Sequence, residues 1–489
     1  MQLRVLLQAA NIPAGLADPE VSALCHDSRQ ATPGCLFFAI PGAKSDGTDY
    51  IAQAAANGAV AAIAEKEPSS APMPVIVVPS ARAAMADIAA AFFGHPDRSL
   101  KCVGITGTNG KTTTAFLVHH IFRKASLMPG LIGTVKYEIA GAERPAPHTT
   151  PESIELQSML AEIRETGGRA VAMEVSSHSL VQDRVRGIEF DAAVFTNLTQ
   201  DHLDYHGDME SYFKAKSILF ESLAAQKNKR GRAVVNADDR FGSRLLDQIS
   251  KKVKTVPFGR GAGCEFRAAS IRQEPHGTTF ALEARGKSYL VRTPLIGLFN
   301  VYNALGAIAA AVTSGVECRT AVDALASAPQ VPGRMERVAA KRNFQVFVDY
   351  AHTEDALRNA LRTLRELQPA RILTVFGCGG DRDRAKRPRM ASAAEELSDR
   401  IIMTSDNPRS EDPGKILAEM ETGLRGKGFE KIVDRNLAIR RAVELAGPGD
   451  IVLVAGKGHE KYQETNGTRT PFDDVSTAAR AIGDKKGEI

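Results

Sequence analysis

Apolar positions along this chain fall in short runs that end in polar or glycine-rich turns, and longer stretches of helical spacing lie between them. Cys102 to Thr106 is such a run and predicts a buried strand, while Thr112 to Lys124 has the length and spacing of a helix. Ala170-Val-Ala-Met-Glu174, Asp191-Ala-Ala-Val-Phe-Thr-Asn197 and Arg232-Ala-Val-Val-Asn-Ala-Asp238 each run apolar and finish polar. That is the pattern of parallel strands whose carboxyl ends line a site. Beyond Val331-Pro-Gly-Arg334, strands at 345–350, 371–376 and 400–406 alternate with helices, one of them over Ala356 to Leu367, and Ile451 to Gly456 reads as the last strand. The Ala-rich segment Ile51 to Ala64 is interrupted by Gln53, Asn57 and Gly58, and predicts a helix packed on a strand rather than a membrane span. The last residues, Asp484 to Ile489, read as a frayed tail.

The pattern predicts an α/β protein of three domains: a first unit over 1–98, a central P-loop-type ATPase domain with a mostly parallel sheet over 99–332, and a doubly wound, Rossmann-like domain over 333–489. A length of 489 residues agrees, since single cores stop growing well short of it. The net charge of +5 permits an anionic substrate but does not call for nucleic acid, and no basic stripe with interleaved aromatics is present. The six cysteines are scattered without a C-x-x-C pair, which suits reduced thiols in a cytoplasmic protein. The N-terminus has no signal-peptide pattern.

The candidate chemistry begins at Gly107-Thr108-Asn109-Gly110-Lys111-Thr112-Thr113, between the predicted strand and helix. Glycines let backbone approach phosphate oxygens, and the helix N-terminus aims N–H groups at the same anion. Lys111 would reach the outer phosphates of ATP and the Thr112 hydroxyl would hold its magnesium. Ile105 stands where the longer Walker loop has its first glycine, which argues against a common GTPase or transport ATPase. Glu174 ends a strand, as a magnesium ligand or a solvated acid. Asp201, His202, Asp204 and His206 follow the next strand, a pattern for a second cation site or substrate clamp. Lys216 reads as the solvated face of an amphipathic helix, and Asn300 and Asn303 read as helix caps. Asp381-Arg382-Asp383-Arg384 with Lys386 and Arg387 suits a carboxylate or phosphate pocket. Asp406-Asn407-Pro408-Arg409 presents opposite charges, which suits an amino acid or a salt-bridged turn.

Taken together, Gly107 to Thr113, Glu174-Val-Ser-Ser-His178, Thr196-Asn197 with Asp201-His202, Gly333-Arg334 and Asp349-Tyr-Ala-His352 resemble the motifs of the Mur ligase family in order and spacing. Glu354 stands where that family usually has proline, at a helix start that suits an acid. The resemblance implies activation of a carboxylate by ATP as an acyl phosphate, then attack by an amine. It implies two magnesium ions on Thr112, Glu174, His202 and Lys216, with Lys216 carried as a carbamate. Lys111, Glu174, His202 and Lys216 would serve catalysis. Asn300, Arg334 and Asp349 would contact the nucleotide as the third domain closes.

His26-Asp-Ser28-Arg29, Thr149-Thr150, Ser176, Gln182 and Arg184 match positions that bind the UDP-sugar substrate, which gives the first unit its expected UDP-sugar-binding role. By the same resemblance the substrates are UDP-N-acetylmuramoyl-L-alanyl-D-glutamate and meso-diaminopimelate. Arg382, Asp406, Asn407, Pro408, Arg409, Gly456 and Glu460 would hold the latter. The implied enzyme is a cytoplasmic monomer of peptidoglycan precursor synthesis. Readings in competition are a lysine- or ornithine-adding relative, a folylpolyglutamate synthase, which lacks the first unit, and a non-catalytic ATP-binding scaffold.

Overall fold

The computed structural model describes residues 1–13, 18–42, 45–274, 276–339, 342–426 and 428–485; the Asp204 side chain and tail residues 486–489 lie outside the described set. By their contacts, the residues form two compact units. The first comprises 1–269, 282–289 and 302–324, and the second 270–281, 290–301 and 325–489.

In the first unit, a four-stranded parallel sheet runs in sequence order through Ala23–Cys25, Cys35–Ala39, Ala59–Ala64 and Val75–Val77. The helices Leu3–Ala9 and Ala81–Phe92 bury Leu6, Leu7, Met85 and Ile88 against one face, and Ile154 joins that core from farther along the chain. The segment expected to be one helix splits. Ile51–Ala56 is helical and Ala59–Ala64 is a buried strand. Alanine fits either state; the break comes from Gly58, at φ +101°, where an added Cβ would meet the Pro33 Cα at 2.7 Å.

The larger sheet has eleven strands. Its parallel centre runs Lys254–Gly259, Arg232–Asn236, Ala192–Phe195, Lys101–Thr106, Ala170–Glu174 and Gly130–Ile132 in spatial order. Lys101–Thr106 therefore lies between the strands that end in Glu174 and in Thr196, which brings those carboxyl ends together. The strands are apolar throughout because helices such as Lys111–Lys124 and Met209–Ala225 supply buried Leu117, Ile121, Phe213 and Phe220.

In the second unit, a six-stranded sheet runs Glu336–Val338, Gln345–Asp349, Ile451–Ala455, Ile372–Phe376, Arg400–Met403 and Phe429–Lys431. Only the first pairing is antiparallel. Separate apolar clusters line its two faces, as a doubly wound sheet requires. Ile451–Ala455 is not the last strand. The hairpin Tyr462–Thr465 with Thr468–Pro471 follows it, turning at Asn466 and Gly467 with φ of 49° and 75°. Its mostly polar strands, the first half-buried and the second exposed, carry no apolar alternation, yet Asn-Gly is the preferred two-residue hairpin turn. The chain then forms the helix Asp474–Asp484, which reaches into the segment expected to fray. Its Asp474 pairs with Arg435 at 2.7 Å, both side chains fully buried, and the guanidinium also donates to the Ala455 and Ser405 carbonyls.

Candidate active site

The loop at 107–110 is gripped from the neighbouring strand end. Thr108 N–H donates to the Asn197 carbonyl at 2.9 Å, and Asn109 N–H to the Asn197 side-chain oxygen at 3.0 Å. The Thr196 hydroxyl and Asn197 amide donate to the Asn109 carbonyl at 2.6 and 3.1 Å. Gly107 sits at φ +146°, and an added Cβ would lie 1.9 Å from the Thr196 hydroxyl, so no other residue fits there. Gly110 lies against Asn303 Oδ1, which also accepts from the Thr114 hydroxyl at 3.4 Å. Thr112 and Thr113 are buried in the first turn of the helix.

Two lysines meet at this loop. Lys111 Nζ donates to the Gly107 and Thr108 carbonyls at 2.9 and 2.8 Å, and Lys216 Nζ donates to the same Gly107 carbonyl at 2.9 Å. Lys216 is 1% exposed and lies 4.6 Å from the centre of the Tyr212 ring, so the solvated-face reading does not hold. Tyr212, Phe213 and Leu219 turn that side of the helix inward. Burial, with Lys111 nearby, pushes the Lys216 amine far below its ordinary value.

Glu174 is 1% exposed, so it is not a solvated acid. It accepts from Thr112 Oγ1 at 3.0 Å, Thr134 N–H at 2.8 Å and Thr134 Oγ1 at 3.2 Å. Among the described residues this buried carboxylate has only neutral donors, an arrangement a bound cation would complete. No group of three or more His, Cys, Asp and Glu side chains among them could hold a metal ion unaided. A magnesium here would therefore rest on Thr112 and Glu174, with other ligands supplied by phosphate and water. His202 is half exposed, 3.5 Å from Asp201, and stacks edge-on to His178 with ring centres 5.1 Å apart. His206 contacts the Ser177 hydroxyl at 2.9 Å.

Beside Glu174, the structure gathers Thr149, Thr150, Ser176, Gln182 and Arg184. The Thr149 hydroxyl is 3.1 Å from that of Thr134. Thr150 Oγ1 donates to the Glu174 carbonyl and accepts from Ser176 N–H. Arg184 donates to the Thr150 carbonyl at 2.8 Å and to Gln182 Oε1, and pairs with Glu152 at 2.9 Å. Ser28 lies in the first sheet's region and is 5% exposed, its hydroxyl turned to Gln53 at 2.7 Å.

Three loops at the carboxyl ends of its sheet carry the second unit's candidates. Asp406 accepts from the Asn407 N–H at 2.7 Å and lies against Gly456. Arg409 Nη1 donates to the Gly380 carbonyl at 2.7 Å, and no ion pair involves Arg409 among the described residues. The salt-bridged turn is thus not formed, because Glu411 pairs with buried Arg387 and Asp412 caps the helix Pro413–Glu421. Arg409 holds φ +51° because the hairpin clamps its backbone: its N–H donates to the Glu464 carbonyl at 3.0 Å and its carbonyl accepts from Asn466 N–H at 2.6 Å. Pro408 is buried within this loop, Glu460 contacts Asn407 at 2.8 Å, and Arg382 is exposed beside Asp381.

Asp349 accepts from Met335 and Ala351 N–H groups, and burial pushes its carboxyl up against the pull of Arg334. Arg334 covers the Tyr350 ring. Asn300 is not a cap: it lies inside the helix Leu298–Thr313 and donates to the Ile296 carbonyl at 2.8 Å. The signals missed in sequence were Thr134, which marks no motif, and the hairpin behind Arg409.

Three family models match the chain: "Mur ligase family, catalytic domain" over 20–93, "Mur ligase middle domain" over 105–311 and "Mur ligase, glutamate ligase domain" over 333–458. The chain belongs to the Mur ligase family. It is 46% identical, over 99% of its own length and 98% of the relative's, to the UDP-N-acetylmuramoyl-L-alanyl-D-glutamate–2,6-diaminopimelate ligase of Solibacter usitatus. It is 47% identical to the protein of that name from Geobacillus thermodenitrificans, over 96% of each chain. A solved structure titled with the same ligase superposes with a TM-score of 0.73 at 34% identity, covering 98% of both chains. The three matched segments follow the four-, eleven- and six-stranded sheets in turn.

This Mur ligase also has a partly buried histidine whose proton affinity falls on folding. Burial and the nearby Arg334 hold His459 down at about 4, against 6.5 for an ordinary imidazole. The native state therefore disfavours the proton that the unfolded chain takes up. The stabilisation is fully present above pH 6.5 and is lost as pH falls toward 4. Urea unfolding of His459→Gln should show a shallower rise of stability with pH between 4.5 and 6.5 than the wild type; an identical slope would show that His459 does not contribute.

Proposed function

We propose that this chain is an ATP-dependent ligase that joins meso-diaminopimelate to the D-glutamyl end of UDP-N-acetylmuramoyl-L-alanyl-D-glutamate, in cytoplasmic synthesis of peptidoglycan precursors. The observation that carries the reading is the clamped loop 107–110 with Lys111, Lys216 and Glu174 around it, in a chain that aligns end to end with ligases of that name. Among the described residues no helix is long and apolar enough to cross a membrane. The three-domain division at 98/99 and 332/333 is part of the same proposal.

A carboxylate resists attack by an amine, so it is first converted to an acyl phosphate. A substrate carboxylate oxygen attacks the γ-phosphorus of ATP, and ADP leaves. The amino nitrogen then attacks the acyl carbon, loses a proton and expels phosphate, leaving an amide. The first step brings two anions together, so the site must supply positive charge. Lys111 supplies one cation at the loop mouth. Thr112 and Glu174 would hold one magnesium and His202 and Lys216 a second, and ions held there would supply further positive charge toward the phosphates. By the family resemblance, Asn300, Arg334 and Asp349 are assigned to nucleotide binding. Thr149, Thr150, Ser176, Gln182, Arg184 and Ser28 serve the UDP-linked peptide.

Lys216 fits the carbamate assignment chemically. An amine whose burial favours its neutral form is more nucleophilic toward carbon dioxide, and the product, with loss of one proton, is an anion suited to a metal. Lys216→Ala should lower ligation by at least about 100-fold, with a short-chain carboxylic acid restoring part of the rate. A near-wild-type rate would remove Lys216 from the mechanism.

Arg409 sets the amino acid. Diaminopimelate carries a second carboxylate at its far end, which a guanidinium grips in a bidentate pair, with Arg382 alongside and Asp406, Asn407 and Glu460 on the ammonium side. L-Lysine has no such carboxylate. Losing a buried charged partner costs about 2–5 kcal/mol. That corresponds to discrimination on the order of thirty- to several-thousand-fold in kcat/KM. Arg409→Ala should lose meso-diaminopimelate turnover while ATP binding persists. Comparable kcat/KM for L-lysine and meso-diaminopimelate in the wild type would overturn the assignment in favour of a lysine-adding ligase.

A further inference from the structure

Lys457 is fully buried, in the turn between the strand Ile451–Ala455 and the hairpin that begins at Tyr462. Its Nζ donates to Asn407 Oδ1 at 2.8 Å and lies 3.3 Å from Glu460 Oε2. Asn407 Oδ1 accepts a second bond from the Glu464 N–H at 3.0 Å, while Asn407 Nδ2 donates to Glu460 Oε2 at 2.8 Å. These partners fix which way the Asn407 amide faces, since both neighbours of Oδ1 are donors and the neighbour of Nδ2 is an acceptor. Both lone pairs of Oδ1 are occupied, so Asn407 serves the ammonium side by holding Glu460 rather than by accepting a bond from the substrate itself.

The same network shapes Glu460. Its Oε2 takes both bonds, from Asn407 and Lys457, and among the described residues Oε1 has no hydrogen-bond partner. Asp406, whose backbone carbonyl accepts from Gln463 at 2.7 Å, is held from the hairpin side. A lysine is costly to bury, and burial pushes this amine down while Asp406 and Glu460 draw it up. Among the described residues, the side-chain bonds of Lys457 go to two residues assigned to the amino-acid pocket.

We propose that Lys457 is a positioning residue of the amino-acid site: it locks Asn407 and Glu460 so that Glu460 presents a single oxygen, Oε1, to the ammonium group of an amino acid charged at both ends. The proposal rests on the reading of these loops as the diaminopimelate pocket. Without Lys457, the Glu460 carboxylate would keep one neutral donor and turn freely about its last torsion. The pocket would then lose grip on the diamino acid, and the UDP-linked peptide and ATP would bind as before.

The test is steady-state kinetics of the full-length enzyme with all three substrates, for wild type, Lys457→Met, Glu460→Gln and the double variant, with a thermal melt for each. Methionine keeps most of the stem's volume and removes the donor. Lys457→Met should raise KM for meso-diaminopimelate roughly ten- to a hundred-fold, the size expected for a bond to a charged group. KM for ATP and for the UDP-dipeptide should stay within about twofold, which a general loss of structure would not allow. In the Glu460→Gln background the same substitution should cost less than about threefold, because the two residues act as one unit.

Should the methionine variant not fold, Lys457→Gln, which keeps one donor, carries the same cycle with a smaller shift, still above about threefold. A wild type that does not turn over meso-diaminopimelate would overturn the functional reading and this proposal with it. A wild type that does, with equal KM shifts for all three substrates, no shift, or full additivity with Glu460→Gln, would overturn the role of Lys457 alone.

Discussion

The grip of the strand end at 196–199 on the backbone of 107–110 is the constraint on which the rest of the catalytic unit depends. A glycine-rich turn has no shape of its own, because each glycine that permits a close approach also permits many other conformations. Here the Asn197 carbonyl and amide, the Thr196 hydroxyl and the Thr199 N–H, which donates to Thr108 Oγ1 at 3.0 Å, hold it in one of them. The grip exists because Lys101–Thr106 and Ala192–Phe195 are parallel neighbours in register, Thr106 opposite Phe195. The same sheet order puts Glu174 on the loop's other side, so one topological fact delivers loop, clamp and carboxylate together.

Charge follows from that placement. Glu174 and Lys216 are both buried, and among the described residues each is hydrogen-bonded only to neutral groups. A folded protein pays for such groups only where another charge or a chemical change completes them. A bound cation would complete Glu174, and burial favours the neutral form of Lys216. The second unit solves a different problem by a similar device. Arg409 is held in the left-handed region by hydrogen bonds from a hairpin, so backbone strain is offset by added strand pairing, and the guanidinium, bonded to the Gly380 carbonyl, has no carboxylate partner among the described residues.

Much of this could be read from the residues. Buried parallel strands are apolar from end to end and stop abruptly, so Ala170–Glu174 and Arg232–Asn236 stand out in sequence. The loop and the Asp406 to Arg409 segment were legible because their residue types suit few other roles. Ile51 to Ala64 was not, because alanine tolerates helix and strand alike and the break depends on a contact with Pro33, distant in sequence. The burial of Lys216 was hidden as well: Lys214 and Lys216 sit in the same apolar stretch, and only the packing of Tyr212 and Phe213 turns one of them inward while the other stays exposed. The hairpin behind Arg409 carried an Asn-Gly signal, but its strands bury too little to show a period.

The central claim is that the loop and its lysines transfer a phosphoryl group to a carboxylate oxygen before the amide forms. The most direct measurement uses UDP-N-acetylmuramoyl-L-alanyl-D-glutamate labelled with ¹⁸O in the γ-carboxylate of its glutamate, turned over with ATP and meso-diaminopimelate, and the mass of the released phosphate. Passage through an acyl phosphate predicts that each phosphate carries one ¹⁸O from the peptide. Unlabelled phosphate formed alongside the amide product would contradict the account.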